Sequence, residues 1–196
     1  SKLDPNLVIN AYPIIDSRLA NPATFFLAFE GEKVDGHDFT KDAQSRGSIF
    51  SLVSKAVQEQ HILVDDVLAA LNRLAKFNRK NLPQMKVIGI TGSSGKTTTK
   101  DLTAHLVSII GKTVFPEASL NNELGVPLLI SRCDEATKFC IVEMGARHRG
   151  DISHLVEIAQ PNIGVVLNVG SAHIGEFGSV DAIAEAKAEL IAGLPD

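Results

Sequence analysis

The sequence has no tryptophan, a single tyrosine and only two cysteines among its 196 residues. The scarcity of Trp and Tyr argues against an aromatic platform on which the bases of single-stranded nucleic acid could stack. The formal net charge of −4 argues against a general nucleic-acid binder, because such proteins depend on dense lysine and arginine. We therefore expect no nucleic-acid partner, and any affinity for phosphate must come from a local site.

The two cysteines, Cys133 and Cys140, lack the spacing of a metal site. Cys140 lies in an apolar strand pattern, which predicts a buried thiol in a reducing compartment. No apolar run reaches the length of a membrane span, and the first residues lack a signal-peptide pattern. We expect a cytoplasmic, soluble monomer without membrane insertion.

Two different patterns follow each other along the chain, separated by the polar stretch 78–83. Residues 1–82 predict a small α/β domain. Its predicted strands cover residues 12–15, 24–29, 48–53 and 61–64, and an amphipathic helix runs from Asp65 or Asp66 to Arg79 and Lys80. Residues 83–196 predict alternating elements, with strands at 85–90, 112–115, 138–143 and 163–169 and helices at 96–110, 151–159 and 180–192.

The second pattern indicates a mainly parallel sheet, because strands such as 163–167 are nearly continuous apolar runs. The predicted fold class is therefore α/β, with a small first domain and a larger doubly wound second domain. The last helix is followed by Gly193–Asp196, where a doubly wound domain should supply another strand. We expect the second domain to be incomplete.

The most informative stretch is residues 87–99, V-I-G-I-T-G-S-S-G-K-T-T-T. A Gly-rich turn between a strand and a helix lets backbone N–H groups converge on one anion, and the helix N-terminus adds partial positive charge. Lys96 can reach the β- and γ-phosphates, and the Thr97 hydroxyl can hold Mg²⁺. The general P-loop pattern would place glycine where Ile90 stands, so this is a shorter form. The alternative is an ordinary turn with a surface lysine. The strand before the turn and the helix after it favour instead a loop that binds a nucleoside triphosphate.

Two later strand ends carry candidate ligands, since ligands bind at the carboxyl ends of parallel strands. Glu143 directly follows four apolar residues, where P-loop proteins place the acid that holds Mg²⁺. A strand-terminal glutamate that faces water is the alternative. His173 lies in the Gly-rich segment 168–175, and a lone histidine there is either a metal ligand or an ordinary polar residue.

Lys187 is unusual because it lies in the apolar stripe of the last helix. The other members of that stripe are Val180, Ile183, Leu190, Ile191 and Leu194. A lysine at such a position either extends its ammonium to solvent, is paired, or is chemically altered, because burying a free ammonium is unfavourable. A desolvated lysine with a lowered pKa is also a reactive one.

These motifs together resemble the Mur ligase family over most of the chain. Residues 91–100, TGSSGKTTTK, look like its ATP loop. Residues 120–127, 143–147, 150–152, 171–175 and 177–179 are similar to segments of the member that uses D-alanyl-D-alanine. Residues 16–18, 25–28, 31–32 and 35–39 look like the family's UDP-binding domain.

The resemblance implies an ATP-dependent amide ligase of peptidoglycan precursor synthesis. ATP would phosphorylate the terminal carboxylate of UDP-N-acetylmuramoyl-tripeptide, and the amine of D-alanyl-D-alanine would attack the acyl phosphate. The implied ATP-binding residues are Thr91, Gly92, Ser93, Ser94, Gly95, Lys96, Thr97, Thr98, Asn121 and Asn122. The implied Mg²⁺ ligands are Thr97, Glu143, His173 and Lys187, the last matching a lysine that the family carries as a carbamate. Lys96, Lys187 and His173 are the implied catalytic residues, and Ser17, Arg18, Gly36 and His37 are implied to bind the UDP moiety.

The family also has a longer central domain and a C-terminal domain, so the resemblance implies a fragment of a three-domain ligase that is inactive alone. A sister ligase that adds the third amino acid and a folyl-polyglutamate synthetase are alternatives, although residues 121–123 and 143–146 favour the family member that uses D-alanyl-D-alanine. A non-catalytic nucleotide-binding module that assembles with a partner is a further alternative.

Overall fold

A computed structural model describes residues 10–116, 120–170 and 174–195 of the chain. The chain divides into two compact units, Ser1–Arg73 and Leu74–Asp196. Each unit contains a parallel sheet with helices, which confirms the predicted α/β class. The domain boundary after residue 82 and the substrate assigned to each domain stay predictions. Over the described ranges, no helix is both long and apolar enough to cross a membrane.

The first unit has a four-stranded parallel sheet in the order β1–β2–β3–β4. Its elements are β1 (Tyr12–Ile14), β2 (Thr24–Leu27), α1 (Thr40–Ser45), β3 (Ser51–Val53) and β4 (His61–Leu63), followed by α2 (Val67–Asn81), which continues into the second unit. Two short 3-10 helices, Ser17–Leu19 and Gly36–Phe39, both pack against α1. These short helices carry the four residues predicted to bind UDP.

The second unit has a four-stranded parallel sheet in the order β6–β7–β5–β8. Its elements are β5 (Lys86–Thr91), α3 (Lys96–Ser108), β6 (Thr113–Val114), α4 (Gly125–Ile130), β7 (Phe139–Glu143), α5 (Asp151–Ala159), β8 (Ile163–Val166), α6 (Ile174–Phe177) and α7 (Val180–Ala192). The carboxyl ends of β5, β7 and β8 lie side by side, so the loops that follow them share one edge of the sheet.

Alternate residues of the central strands enter two separate cores, as the two-residue period of a strand requires. Val87 and Val142 lie in the core with α4, α5 and α7, whereas Ile88, Ile90 and Ile141 pack with α3. The nearly continuous apolar run of residues 163–167 predicts a strand that is covered on both faces of the sheet. In the structure β8 is the edge strand of the described sheet and Ile163 is exposed.

Helix α4 was not predicted from the sequence, although all six of its residues are buried. Its sequence is G-V-P-L-L-I, an apolar run too short to show a helical period. Pro127 lies in the first turn, where a missing N–H group removes no intrahelical hydrogen bond. Burial against β7 and α5, rather than an amphipathic pattern, accounts for this helix.

Arg79, predicted to lie at the end of α2, is buried within the second unit. Its guanidinium donates to the backbone oxygens of Leu82, Ala159 and Gln160 at 3.0 Å each, and to Asn162 Oδ1 at 3.2 Å. Burial lowers the pKa of Arg79. The side chain therefore ties the end of α2 to the carboxyl end of α5.

Cys140 is a buried free thiol in β7, which confirms the prediction from its apolar surroundings. Cys133 is also buried and free. The neighbouring Cys133 thiol, together with burial, raises the pKa of Cys140 well above its usual value. Both cysteines therefore contribute to packing rather than to chemistry.

Candidate active site

The Gly-rich turn lies between β5 and α3, as predicted. Gly95 precedes α3 with a φ of +82°, a conformation that favours glycine, and it brings no capping side chain. The first N–H groups of α3 consequently have neither an intrahelical acceptor nor a side-chain cap from Gly95. Lys96 Nζ donates to the Gly92 backbone oxygen at 2.8 Å, so the ammonium is held over the turn. The arrangement suits a bound phosphate.

Asn168 is a contact of this turn that the sequence analysis missed. Its Oδ1 accepts from the backbone N–H groups of Ser93 and Ser94 at 3.1 Å each, and its Nδ2 donates to the Ser94 oxygen at 3.1 Å. Asn168 follows β8, the strand beside β5. Its place next to the turn depends on the strand order, and its position at a strand end was the available signal.

Glu143 is only 1 % exposed and does not face water, which removes the alternative considered for it. Its Oε2 accepts from Thr97 Oγ1 at 3.0 Å, and its Oε1 accepts from Asn121 Nδ2 at 2.8 Å. The register pairs Ile90 with Glu143, which sets the carboxylate beside the turn after β5. Both partners of this buried carboxylate are uncharged groups, so a cation here would offset its desolvation.

The oxygen atoms of Glu143 and Thr97 fit Mg²⁺, which prefers hard oxygen ligands and keeps several waters or phosphate oxygens of its own. Within residues 10–116, 120–170 and 174–195, no group of three His, Cys, Asp or Glu side chains gathers as a metal site. The third predicted ligand, His173, lies outside the described residues together with Ser171 and Ala172.

Lys187 is 6 % exposed, so little of its side chain is in contact with solvent. It lines a cleft of about 680 Å³ together with Gly92, Lys96, Asn121 and Asn122. Among the described residues it has no hydrogen-bond or ion-pair partner. Burial lowers the pKa of Lys187, and the nearby charge of Lys96 adds to this effect. Lys96, Arg147 and Lys187 all line this cleft, against the two acidic side chains Glu123 and Asp151, so its cationic side chains can bind an anionic ligand.

The apolar stripe around Lys187 is narrower than predicted. Ile183 and Leu190 are buried, but Val180 and Ile191 are exposed. The burial of Lys187 thus results from the central turns of α7, which pack against α5, β5 and β8.

The remaining residues predicted to bind ATP differ in the hydrogen bonds and the exposure of their side chains. Asn122 Oδ1 accepts from the Gly125 N–H at 2.9 Å and so caps α4. The Thr91 hydroxyl is buried at the end of β5 without a hydrogen-bond partner among the described residues. Thr98 is exposed in the first turn of α3.

In the first unit, Ser17 and Arg18 follow Asp16, which caps their short helix. The Arg18 side chain is 80 % exposed and binds Asp16 through Nε and Nη2, at 2.9 and 2.6 Å. This contact lowers the pKa of Asp16 to about 2. Ser17 is buried, and its hydroxyl, followed by the Arg46 guanidinium, lowers the pKa of Asp42. Arg18 is therefore the side chain of this pair that a ligand can reach.

His37 follows Asp35 and Gly36 in the second short helix, and both of its ring nitrogens already have partners. Nε2 accepts from the backbone N–H groups of Ser54 and Lys55 at 3.1 and 3.3 Å, so it is unprotonated. Nδ1 then carries the proton and donates to Asp35 Oδ1 at 2.5 Å. The buried imidazole holds residues 54 and 55 in place, and its predicted contact with UDP stays a prediction.

Two models of one protein family match the sequence of this chain. The Mur ligase family catalytic domain matches residues 14–90, and the Mur ligase middle domain matches residues 90–196. The second match alone covers more than half of the chain.

Several similar proteins, each longer than this chain, share a name. The chain is 43 % identical over 203 residues to the UDP-N-acetylmuramoyl-tripeptide–D-alanyl-D-alanine ligase of Mycobacterium tuberculosis, covering 92 % of this chain and 40 % of that protein. Crystal structure I of MurF from Acinetobacter baumannii superposes with a TM-score of 0.85 at 35 % identity, covering 97 % of this chain and 42 % of the other. The MurF ligase of Thermotoga maritima in complex with ADP superposes with a TM-score of 0.81 at 34 % identity, covering 95 % and 44 %. The chain thus spans about 40 % of the length of the curated relatives that it matches.

Proposed function

The chain belongs to the Mur ligase family, and from this premise we propose that it forms part of an ATP-dependent ligase. The proposed reaction joins D-alanyl-D-alanine to UDP-N-acetylmuramoyl-tripeptide in the cytoplasm. The observation that carries the proposal is the cleft of the second unit, where the phosphate turn, Asn121 and Lys187 meet beside the buried Glu143 carboxylate. The name shared by relatives of 43 % identity supports the choice of substrates.

In this proposal the second unit brings two anions together, the substrate carboxylate and the γ-phosphate. Lys96 and the N-terminus of α3 bind the triphosphate and reduce its charge. Mg²⁺ held by Thr97 and Glu143 would supply further positive charge at the β- and γ-phosphates. A carboxylate oxygen attacks the γ-phosphorus as the bond to ADP breaks. The dipeptide amine then attacks the acyl carbon, and phosphate and a proton leave.

Asn168 already binds the N–H groups of Ser93 and Ser94. We propose that ATP uses the N–H groups at the start of α3 together with Lys96, while Asn168 keeps the turn in shape. Asn121 holds Glu143 from its other side and keeps the carboxylate directed at Thr97. The relative from Thermotoga maritima was solved with ADP, which supports nucleotide binding as such by this chain.

For the first unit we propose binding of the UDP end of the substrate. Arg18 is an exposed cation there, and a guanidinium can bind a diphosphate through two parallel hydrogen bonds. Replacing Arg18 with alanine should weaken UDP-sugar binding about tenfold or more, since charge-assisted hydrogen bonds are lost. Isothermal calorimetry without ATP measures this, and Arg73→Ala, an exposed arginine on α2, is the control. Equal affinity in Arg18→Ala and wild type would contradict the assignment.

Ligation itself is tested with the full-length protein. Release of ADP should require both UDP-N-acetylmuramoyl-tripeptide and D-alanyl-D-alanine, and mass spectrometry should detect the UDP-linked pentapeptide. L-alanyl-L-alanine serves as the control dipeptide. The 196-residue chain alone should form no amide bond, and steady ligation by it would contradict the proposal. Activity only with a free amino acid or with a folate would instead identify a sister ligase or a folyl-polyglutamate synthetase.

A further inference from the structure

Helix α5 begins without a side-chain cap from the residue before it, because that residue is Gly150. Gly150 has a φ of +92°, in the left-handed region that glycine adopts without a steric penalty. The first N–H groups of an α-helix have no intrahelical acceptor, and a capping side chain normally supplies one. At this helix the acceptor has to come from another element.

Glu189 of α7 supplies that acceptor with both oxygen atoms of its carboxylate. Oε1 accepts from the Gly150 N–H at 2.7 Å, and Oε2 accepts from the Ser153 N–H at 2.8 Å. The positive end of the helix dipole also favours a carboxylate at this place. A two-point contact between a side chain and the backbone therefore joins α7 to the start of α5, in addition to their apolar packing.

The backbone that Glu189 holds belongs to the turn between β7 and α5. Asp151, the first residue of α5, accepts from the N–H groups of Arg147 and His148 at 2.8 and 2.9 Å. Arg147, His148, Gly150 and Asp151 all line the cleft that contains Lys187. The carboxylates of Asp151 and Glu189 together determine the path of the chain along one wall of this cleft.

Lys187 precedes Glu189 by two residues, so the two side chains leave α7 about 200° apart. Lys187 lines the cleft, whereas Glu189 contacts the N-terminus of α5. Because a helix moves as a rigid element, a rotation or shift of α7 that breaks the Glu189 contact also moves Lys187. The position of one side chain is thus coupled to the position of the other.

We propose that Glu189 is a positioning residue for ligation. Its contact with the N-terminus of α5 fixes how α7 is rotated about its own axis and where it lies along that axis. The contact thereby places Lys187 beside Lys96 in the cleft. Glu189 does not act on the substrate; it acts through Lys187. The catalytic consequence rests on the proposed function, whereas the placement of Lys187 does not.

Glu185 provides a matched control, because it lies on the same helix one turn earlier. It forms an ion pair with Arg149, in the same turn before α5, and both side chains are more than half exposed. Such a pair contributes little and holds a flexible side chain rather than the backbone. Glu185→Gln should therefore leave the placement of Lys187 unchanged.

The first test reads the accessibility of the Lys187 amine in the full-length protein without ATP, in CO₂-depleted buffer so that the amine is free in every variant. Trace acetylation with acetic anhydride, followed by peptide mass spectrometry, gives the rate at Lys187 relative to that at the exposed Lys80. Glu189→Gln keeps the size of the side chain but turns one acceptor into a donor. We expect the ratio to rise about threefold in Glu189→Gln, as local opening becomes easier, and to rise further in Glu189→Ala.

The second test separates positioning from folding by kinetics. In the full-length ligase, Glu189→Gln should lower kcat about tenfold and leave the KM for ATP within about twofold, since the phosphate turn is untouched. A contact that served stability alone would lower the yield of folded protein and leave kcat per folded molecule unchanged. Glu185→Gln should match wild type in both parameters.

An unchanged acetylation ratio in Glu189→Ala would overturn the positioning role, whatever the activity of the variant. Loss of cooperative thermal unfolding in Glu189→Gln would also overturn it, because the contact would then serve folding. If the wild-type protein forms no ADP with UDP-N-acetylmuramoyl-tripeptide and D-alanyl-D-alanine, the result counts against the proposed function. In that case the acetylation ratio would still decide whether Glu189 positions Lys187.

Discussion

Replacing Lys96 with alanine should abolish measurable ATP binding by this chain. Lys96 Nζ lies 2.8 Å from the Gly92 oxygen, over the turn where the phosphates are proposed to bind. The ammonium would exchange this single carbonyl contact for charged phosphate oxygens in a partly water-excluded cleft. Hydrogen bonds between charged groups are roughly twice as strong as neutral ones, so we expect the Kd for ATP to rise about a hundredfold, beyond the range that titration of a weak binder can measure.

The measurement is calorimetric titration of the chain with ATP in the presence of Mg²⁺. Lys112→Ala is the matched control, because Lys112 lies in the same unit but is half-exposed and pairs with Asp134. The control should bind as wild type does. If Lys96→Ala bound ATP as tightly as Lys112→Ala, the nucleotide would not be using this turn, and the assignment of residues 91–98 would fail.

The phosphate turn could be predicted from the sequence because its chemistry is contained in consecutive residues. Glycines, Lys96 and Thr97 follow one another between a strand and a helix, and no distant contact is needed to recognise them. The burial of Lys187 could also be predicted, because a helix repeats every 3.6 residues and its apolar neighbours are local. Glu143 required one further assumption, that parallel strands end at one edge of a sheet.

Other contacts of the site could not be predicted, because they join residues far apart in the chain. Asn168, Arg79 and Glu189 bind backbone groups that lie between 36 and 81 residues away. Nothing in the residues beside them indicates those partners, which depend on strand order and helix packing. The hydrogen bonds of the His37 ring to Asp35 and to the backbone of Ser54 could likewise not be predicted, and its contact with UDP stays a prediction.

The unpaired, buried Lys187 raises the question of what its ammonium does in the cleft. Burial lowers its pKa, which increases the fraction of neutral amine available to react with CO₂. That reaction forms a carbamate and releases a proton, and it replaces a buried cation by an anion. Beside Lys96, the new anion would be paired rather than repelled, and it would offer oxygen ligands of the kind that Mg²⁺ prefers. We propose that Lys187 carries this carbamate in the full-length ligase.

Replacing Lys187 with alanine in the full-length ligase should lower kcat by at least about a hundredfold, since a charged group directed at the reacting phosphates is lost. Short carboxylic acids such as acetate should restore part of the activity by occupying the space of the missing carbamate, and bicarbonate should stimulate the wild type only. Folding should survive, because the chain reaches this fold with an unmodified Lys187 whose buried ammonium has no partner among the described residues and is unfavourable there. Lys80→Ala, an exposed lysine on α2, should behave as wild type and show no response to acetate. Near wild-type turnover in Lys187→Ala would remove the residue from the catalytic machinery, and a large loss without rescue by any carboxylate would argue for a free ammonium instead of a carbamate.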